Sequence, residues 1–281
     1  MTGSTTRLLS MHKVASYDQV LHFTNSVRSL REGFATNFFW NPDKHPSWIE
    51  EGSLFYEEEK DCVLLLHLDD GFYSLFYISV SLDKALAYIS KLDTDLPLVL
   101  DYVCKGDMVD SVSQALQNAG FQVYRQLFRM SHAGPMDCSR CLADSGIEFG
   151  VPADIQGLQS IFRRDFDALC EQIPTSKELQ AFIDRKQVLV YRAGTDIAGF
   201  LIYELNGMTW YLRYWYTSPE HREKGVGSSL FHKALKLGEG SKRQILWVIS
   251  DNENAIKRYE HYGFARETMS DFVMVKYPCH E

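Results

Sequence analysis

The stretch HREKGVGSSL at 221–230 has residue types that can bind an anion. Gly225 and Gly227 let the backbone adopt conformations closed to other residues and approach a ligand closely. If a helix begins here, its first N–H groups point into the same space, at the positive end of the helix dipole. Arg222 and Lys224 add full positive charges. Together these groups predict an anion site, and a pyrophosphate fits such an array of donors.

Two common nucleotide motifs do not account for this stretch. The P-loop pattern GxxxxGK followed by Ser or Thr is absent, and the dinucleotide pattern GxGxxG fails because Leu230 stands where its third glycine belongs. On its own, the stretch is equally consistent with a tight strand-to-helix turn that has a solvated basic flank. The surrounding elements are therefore needed to choose between the two interpretations.

Two helices and a hairpin are predicted before the stretch. Apolar residues at three-and-four spacing predict a helix over 154–173 and a second over 176–186, with Ser176 as N-cap. The period then changes to two in three runs rich in β-branched and aromatic residues, and the Asn-Gly pair at 206–207 predicts a hairpin between the last two. The three predicted strands are QVLVYRAG, IAGFLIYEL and TWYLRYWYTS.

The elements after the stretch complete one domain. An apolar helical face continues to Gly238 and Gly240, which predict the end of that helix. A short buried strand, a helix ending at Gly263 and a closing strand come next as RQILWVIS, DNENAIKRYEHYGF and DFVMVKY. This order of elements predicts a mixed α/β domain of ordinary size.

The first half of the chain ends in the same pattern as the second. Residues 115–130 and 258–275 each contain a helix that stops at Gly-Phe and an alternating strand after it. An internal repeat explains this, with VLLLHL, GFYSLFYISV and LPLVLDYV as matching strands, although two similar endings can also arise by chance. The stretch SHAGPMDCSRCLADSGI lacks periodicity and predicts a connection. We therefore expect domains at 1–135 and 148–281, joined by a linker at 136–147.

The second half resembles the GNAT-type N-acetyltransferase superfamily in motif order, spacing and residue type over roughly residues 150–277. The resemblance rests on R-x-x-G-x-G at 222–227, preceded by Pro219, and on N-x-x-A-I-x-x-Y-x-x-x-GF from Asn252 to Phe264. It implies an α/β (α+β) fold in which a central mixed, mostly antiparallel sheet is flanked by helices. With the repeat, it implies tandem GNAT-like domains.

The resemblance also implies a site for acetyl-CoA as co-substrate, with no metal. The strand before the loop would pair with the pantetheine arm and offer a backbone N–H to the thioester oxygen at Tyr216 and Thr217. Asn252 matches a cofactor-contacting asparagine, and Tyr259 matches a tyrosine often proposed to protonate the departing thiolate. The pyrophosphate would bind backbone N–H groups of the loop formed by Arg222, Glu223, Lys224, Gly225, Val226, Gly227 and Ser228.

The acceptor amine needs a base, because a primary amine has a pKa of about 10 and must lose a proton before it attacks. Glu204, late in its strand, is the predicted base, with Tyr211 and His221 as alternatives. Each of these groups also has a plain structural interpretation. A strand carboxylate is often simply exposed, His221 fits a surface position, and Tyr259 can be a buried tyrosine packed under the sheet.

The first half departs from the cofactor motif. Aligning the two Gly-Phe pairs places Val109 opposite Asn252 and Leu116 opposite Tyr259, and SLDKALAYISKL has no glycine where the loop belongs. We therefore expect a degenerate domain that binds no acetyl-CoA. It would complete the acceptor cleft or stabilise the sheet of the second domain.

Composition narrows the function classes. The net charge is −8, and residues 1–147 hold 12 Lys and Arg against 19 Asp and Glu, a balance that argues against broad nucleic-acid binding. No apolar run is long enough to span a membrane, and no signal peptide is recognised. Scattered cysteines fit reduced thiols in the cytoplasm. Cys138 and Cys141 have zinc-ligand spacing near His132, but no second ligand pair is present, so no metal is predicted.

These observations favour an acetyl-CoA-dependent N-acetyltransferase that acts on an amine of a small molecule, amino acid or peptide. Two alternatives stay open. One is a tandem acyltransferase with another donor, such as an aminoacyl-tRNA, and the other is a catalytically silent CoA-binding or interaction module. The sequence does not distinguish a monomer from a homodimer.

Overall fold

The chain folds into two compact units, each built on its own part of a β-sheet. The computed structural model describes residues 11–106, 109–135 and 146–278. The first unit takes its described residues from 1–126 and 269–281, and the second from 127–268. The unit boundaries therefore fall inside two long strands, whereas the linker predicted at 136–147 lies almost wholly outside the described residues.

The elements of the first half alternate short helices with strands. They are β1 (His12–Lys13), α1 (Tyr17–Ser29), β2 (Ala35–Thr36), α2 (His45–Glu50), β3 (Leu54–Glu59), β4 (Cys62–Leu68), β5 (Tyr73–Ser79), α3 (Leu82–Ile89), β6 (Leu98–Lys105), α4 (Val109–Asn118) and β7 (Gln122–Ala133).

The second half repeats this alternation. Its elements are β8 (Ile147–Phe149), α5 (Ile155–Asp165), α6 (Ser176–Asp184), β9 (Val188–Ala193), β10 (Asp196–Asn206), β11 (Thr209–Thr217), α7 (Val226–Leu237), β12 (Arg243–Ile249), α8 (Glu253–His261) and β13 (Ala265–Lys276).

The two units have the same strand order and directions. In the first unit the order is β1-β3-β4-β5-β6-β13, and in the second it is β8-β9-β10-β11-β12-β7. Neighbours are antiparallel except for one pair in each unit, β5 with β6 and β11 with β12. The predicted fold class, a mixed and mostly antiparallel sheet flanked by helices, is confirmed.

The last strand of each unit comes from the other half of the chain. In the second unit, residues 127–133 of β7 pair with β12. In the first unit, residues 269–276 of β13 pair with β6 along its whole length. The strand after each Gly-Phe ending therefore pairs in the other unit: β7 follows the first ending and pairs in the second unit, and β13 follows the second ending and pairs in the first unit.

Helices cover both faces of the sheet in the second unit. Hydrophobic residues of α7 and α8 pack on one face, around Trp210 and Leu212. Residues of α5 and α6 pack on the other face, around Tyr214 and Tyr216. The predicted hairpin also forms, because Asn206 pairs with Thr209 across a two-residue turn.

Two predictions about the helices of this unit are wrong. The helix predicted over 154–173 ends at Asp165, because Phe166 adopts an extended conformation with φ −118° and ψ 150°. The segment from 166 to 175 is not helical, so Leu169 is not part of the apolar face of the helix.

The N-cap of α6 is also one residue earlier than predicted. It is Thr175 rather than Ser176. The Thr175 hydroxyl accepts the N–H of Glu178 at 3.2 Å, and the Glu178 carboxylate accepts the N–H of Thr175 at 2.9 Å. This reciprocal pair is a capping box, which satisfies two otherwise unpaired donors.

Candidate active site

The site begins where the two parallel strands separate. β11 and β12 are in register from the pair Thr209 and Arg243 to the pair Leu212 and Leu246, and no pair is formed beyond it. β11 nevertheless continues to Thr217. Its last residues therefore present a backbone edge that β12 does not cover.

A bulge in β11 decides which side chains face this gap. Ile202 of β10 pairs with Tyr214 and Tyr203 pairs with Leu212, so Arg213 has no partner on β10. One extra residue reverses the alternation of all residues after it. Trp215 consequently joins the cluster under α7, whereas Tyr214 joins the cluster under α5 and α6.

The glycine loop leads from this edge into α7. Glu223 has φ +64° and Gly225 has φ +79°, both in the left-handed region. Gly225 is the N-cap of α7 and offers no side chain to cap it. The N–H groups of the first helical turn therefore have no intrahelical partner and point out of the helix end.

Two unpartnered polar atoms lie beside the loop. Trp215 Nε1 and Thr217 Oγ1 are buried and have no hydrogen-bond partner among the described residues. A Cβ added at Gly227 would lie 3.1 Å from that Thr217 oxygen and 3.4 Å from that Trp215 nitrogen. The missing side chain at Gly227 thus keeps both polar atoms next to the start of α7. Buried polar groups of this kind are normally hydrogen-bonded, so they indicate a ligand with polar groups.

Helix α8 forms the opposite wall. Asn252 is its N-cap, and its Oδ1 accepts the N–H of Ala255 at 3.1 Å, which leaves its amide NH₂ available. Arg258 lies over the Trp215 ring, 5.4 Å from the centroid. Tyr262 donates to Ser228 Oγ at 3.1 Å and so ties α8 to the first turn of α7.

These elements enclose a cavity of about 860 Å³. Most of the residues predicted from the sequence line it, namely Tyr216, Thr217, Arg222, Glu223, Gly225, Gly227, Ser228, Asn252 and Tyr259. Lys224, Val226 and Glu204 do not. Lys224 is exposed on the loop, and Val226 is 5% exposed in the core beneath α7.

The environment of Tyr259 keeps its phenol protonated. Burial is the largest effect and raises its pKa well above the ordinary value; the charge of Glu171 raises it further, and Arg258 acts in the opposite direction. Its ring centroid lies 5.9 Å from that of Trp215. The hydroxyl therefore stays protonated throughout the physiological range.

Glu204 lies away from this cavity. It pairs with Tyr211 near the hairpin end of β10, whereas Gly199 is the residue opposite Thr217. Glu204 is five positions along the strand from Gly199, which corresponds to roughly 17 Å. Its carboxylate is also engaged, with Arg213 Nε at 3.3 Å.

The first unit has an equivalent parallel strand pair, β5 and β6, but there another strand of the unit fills the gap between them. β5 and β6 pair only at two positions, and β2 then pairs with β5 at Ser79 and Ile78. The Asn37 side chain completes this edge, with hydrogen bonds to Leu75 O at 3.1 Å and from Tyr77 N at 2.7 Å. The edge that stays open on β11 is thus paired on β5.

The helix after β5 is capped in the ordinary way. The Ser81 hydroxyl accepts the N–H of Lys84 at 3.2 Å, so one of the free donors at the start of α3 is satisfied internally. Leu116, opposite Tyr259 in the repeat, is fully buried in the core of this unit. The first unit therefore lacks the features that define the cavity of the second.

Several lining residues were not predicted. Ala255, Arg258 and Tyr262 lie on the same face of α8 as Tyr259, at three- and four-residue spacing. That spacing is the signal that could have identified them, because residues three and four apart share a helix face. Trp215 carries no such signal, since the bulge at Arg213 decides its direction.

The described residues contain no cluster of side chains suited to bind a metal ion. Within the three described ranges, no set of three or more His, Cys, Asp or Glu side chains is arranged to hold a metal ion. Cys138 and Cys141, which have zinc-ligand spacing, lie outside those ranges. None of the helices that the structure describes is long and apolar enough to cross a membrane.

Comparison with known proteins gives one family match. Residues 155–264 match the model of the Acetyltransferase (GNAT) family. No curated protein is significantly similar to the chain in sequence.

Solved structures share the fold over nearly the whole chain. A tandem GNAT protein from the clavulanic acid biosynthesis pathway has a TM-score of 0.56 at 12% identity, with 96% of this chain and 99% of that one covered. A GCN5-related N-acetyltransferase from Sphaerobacter thermophilus has a TM-score of 0.53 at 11% identity, with 95% of each chain covered. An acetyltransferase of the GNAT family from Colwellia psychrerythraea has a TM-score of 0.52 at 13% identity, with 95% and 99% covered. At these identities the likeness concerns the fold alone.

Proposed function

Because residues 155–264 form a domain of the GNAT acetyltransferase family, we propose that this protein is an N-acetyltransferase that uses acetyl-CoA and an amine. The observation that carries the proposal is the cavity itself. It joins the uncapped start of α7 to the unpaired edge of β11, and the equivalent edge in the first unit is paired by β2.

The residues present fit a CoA thioester. The N–H groups of Gly225 to Ser228 would bind the pyrophosphate, with Arg222 and Lys224 supplying positive charge. The backbone of Tyr216 and Thr217 would pair with the pantetheine arm along the open strand edge, as β2 pairs with β5. When bound, acetyl-CoA supplies the acyl group as an activated thioester.

Two of the polar groups in the cavity wall suit this ligand. The Asn252 amide NH₂ has no hydrogen-bond partner among the described residues, since only the side-chain oxygen caps α8. Trp215 Nε1 is a buried donor with no partner in the described part of the chain. Polar ligand atoms would satisfy both.

Tyr259 is the proposed proton donor to the departing sulfur. Its raised pKa keeps the hydroxyl protonated. Its ring projects from α8 into the cavity wall, with its centroid 5.9 Å from that of Trp215. A positioned acid of this kind contributes roughly 100- to 10,000-fold to a rate.

The proposed acceptor is an amine of a small molecule, amino acid or peptide. The catalytic domain would be the second of the domains predicted at 1–135 and 148–281, and the first would bind no CoA. The side chains of Cys62, Cys104 and Cys170 are buried and form no disulfide among the described residues, which is compatible with a reducing compartment such as the cytoplasm.

Calorimetry with CoA, and then thiol release from acetyl-CoA in the presence of a panel of amines, tests the proposal. We expect saturable CoA binding and amine-dependent release of free thiol. Failure to bind CoA would overturn the proposal. CoA binding without transfer from acetyl-, propionyl- or longer acyl-CoA would instead identify a silent CoA-binding module.

A further inference from the structure

The gap between β11 and β12 is approached from the other face of the sheet by the segment between α5 and α6. The Tyr214 hydroxyl donates to the backbone oxygen of Gln172 at 2.5 Å. Tyr214 is the first residue after the bulge and faces α5 and α6. The segment from 166 to 175 is thereby attached to β11 at the level where the two strands separate.

The backbone of this segment is strained at the same point. Gln172 has φ +46°, in the left-handed region that residues other than glycine rarely adopt. Such conformations persist where the surroundings enforce them, often at functional sites. Here the strained residue is held by Tyr214 and comes directly after Glu171.

One oxygen of the Glu171 carboxylate accepts no hydrogen bond from the described residues. Its Oε2 accepts the N–H of Asp167 at 2.7 Å, and Oε1 has no partner within the part of the chain that the structure describes. The residue is half-buried. Burial and the nearby charge of Asp167 raise the pKa of the carboxyl above its ordinary value, while the hydrogen bond lowers it. A carboxylate in this state is a stronger base than one in water.

The charge of Glu171 also acts on Tyr259, which lies on α8 across the sheet. Tyr259 packs with the cluster under α7, whereas Tyr214, which holds the segment of Glu171, packs with the cluster under α5 and α6. Between β11 and β12, the two strands that separate these clusters, pairing stops after Leu212. The segment that carries Glu171 and the Tyr259 phenol therefore lie on opposite faces of the sheet at the level of the opening.

We propose that the base is Glu171, whose carboxylate removes a proton from the alkylammonium form of the acceptor. This inference rests on the proposed acyl transfer. It assigns the base to a segment that the sequence predicts as helix, instead of to Glu204. The Glu204 carboxylate is already engaged by Arg213 Nε at 3.3 Å and lies near the hairpin end of β10, away from the gap.

Protons and electron pairs balance in this scheme. Glu171 takes one proton from the acceptor ammonium group, which frees the nitrogen lone pair, and later releases that proton to solvent. The nitrogen bonds to the acyl carbon as the carbon–sulfur bond breaks, and the sulfur receives the Tyr259 hydroxyl proton. The second proton lost by the nitrogen returns to the Tyr259 phenolate. The products are an amide, a thiol and one solvent proton.

The test compares Glu171→Gln with Glu204→Gln, the rival base, and with Asp184→Asn, an exposed control in the same unit. Tyramine is the probe amine, because its ring suits a face on which Phe166 packs near Tyr214 and Tyr216. Hydroxylamine is the second probe, since it is already neutral at pH 7 and needs no base. Calorimetry with CoA checks that each variant folds and retains the donor site.

We expect Glu171→Gln to lower transfer to tyramine by roughly 100-fold or more and transfer to hydroxylamine by less than about 10-fold. Asp184→Asn should change neither rate. Equal losses with both probes, or a tyramine-specific loss in Glu204→Gln and not in Glu171→Gln, would overturn the assignment.

A readout without turnover uses carboxyl-¹³C-labelled glutamate and the CoA complex. The resonance that Glu171→Gln removes should titrate above the ordinary range for glutamate and shift when tyramine is added. If it does not shift, the inference fails whatever the rates. If the unsubstituted protein binds no CoA, the proposed function fails first, so the two failures are distinguishable.

Discussion

At the scale of single residues, this site is defined by hydrogen-bonding groups that have no partner among the described residues. Gly227 leaves Trp215 Nε1 and Thr217 Oγ1 uncovered, and Gly225 leaves the start of α7 without a side-chain cap. Asn252 uses only its oxygen on its own helix. Each of these groups retains hydrogen-bonding capacity, and for the buried Trp215 and Thr217 atoms that is costly unless a ligand uses it.

Replacing Tyr259 with Phe should remove the acid and keep the packing. We expect turnover with acetyl-CoA to fall roughly 100- to 10,000-fold, while the affinity for CoA changes by less than about 3-fold, because the ring remains in place. Steady-state thiol release and calorimetry measure the two effects. Unchanged turnover would mean that Tyr259 is only a packing residue.

Gly225→Ala tests the loop against a matched glycine. Gly225 and Gly207 have φ +79° and +59°, and a Cβ at either would meet no atom within 4 Å. Both substitutions should therefore cost about 1–2 kcal/mol of folding free energy through left-handed strain alone. Only Gly225→Ala should also weaken CoA binding, by about 10-fold or more, because it redirects the N–H groups at the start of α7. Equal CoA affinities in the two variants would argue against the pyrophosphate site.

Secondary-structure elements position these residues through local irregularities. The bulge at Arg213 turns Trp215 towards the cavity and Tyr214 towards α5 and α6. The early end of α5 at Asp165 frees the segment that carries Glu171. Gly238, predicted as a helix stop, has an ordinary φ of −91°, and its missing side chain makes room for Trp210, since a Cβ would overlap the indole ring.

Thr175→Ala should destabilise the second unit by about 0.5–2 kcal/mol, because it removes one half of the capping box of α6. Ser176→Ala is the matched control and should cost less than about 0.5 kcal/mol, since Ser176 is the first helical residue and not the cap. Chemical denaturation of both variants measures the difference. The reverse order would restore Ser176 as the N-cap.

At the scale of the whole molecule, the two units share one strand order and differ in whether the gap beside the parallel strand pair is filled by the chain itself. In the first unit β2 pairs with the open edge of β5, and Ser81 caps α3. In the second unit both places are open. The unit that fills its own gap has a core leucine, Leu116, where the other has Tyr259. The same architecture thus gives one unit whose strand edge is paired and one whose open edge lies beside a cavity.

Removing residues 269–281 should destabilise the first unit, although they lie at the far end of the sequence. Val273, Met274 and Val275 are fully buried in β13 beside β6, and their loss removes on the order of 5 kcal/mol of hydrophobic stabilisation. Hydrogen exchange should show lost protection in β6. A chain that ends at Lys276 keeps all of β13 and is the control, so its protection should match that of the full chain.

Acid should destabilise the first unit below about pH 6.5. Burial, aided by Lys44, lowers the pKa of His45 and of His67 from 6.5 to about 3. Between these values the unfolded chain binds protons that the folded chain does not, so stability falls as the pH falls. The slope is up to about 1.4 kcal/mol per pH unit for each histidine.

His67→Phe separates this effect from other titrations. The variant keeps a ring stacked on Trp48, where the centroids lie 3.6 Å apart, and removes one titrating group. We expect the loss of stability from about pH 6 to about pH 4.5 to be roughly halved, as measured by denaturant unfolding across that range. An unchanged slope would show that the protonation of His67 does not differ between the folded and unfolded chains in this pH range.

Local patterns made much of this protein predictable. The strands flanking the Asn-Gly turn, the helix after Gly225 and the helix that stops before Gly263 all form, because their periodicities and turn residues act within a few positions of the chain. The family resemblance of residues 155–264 rests on the same short-range motifs. One error lies past Asp165, where the chain leaves the helix although the apolar spacing continues, and another lies at the cap of α6, which is Thr175 instead of Ser176.

The sequence by itself determined the loop of Gly225 and Gly227, the repeated Gly-Phe endings and the positions of Asn252 and Tyr259. Each of these is a matter of residue type and short spacing. Tertiary structure alone decided that the final strands exchange units, that a bulge at Arg213 reverses the faces of β11, and that Tyr214 attaches the segment of Glu171 to β11. The physical reason is that strand pairing and the contacts across a sheet join residues far apart in the chain, and no local pattern encodes which of them meet.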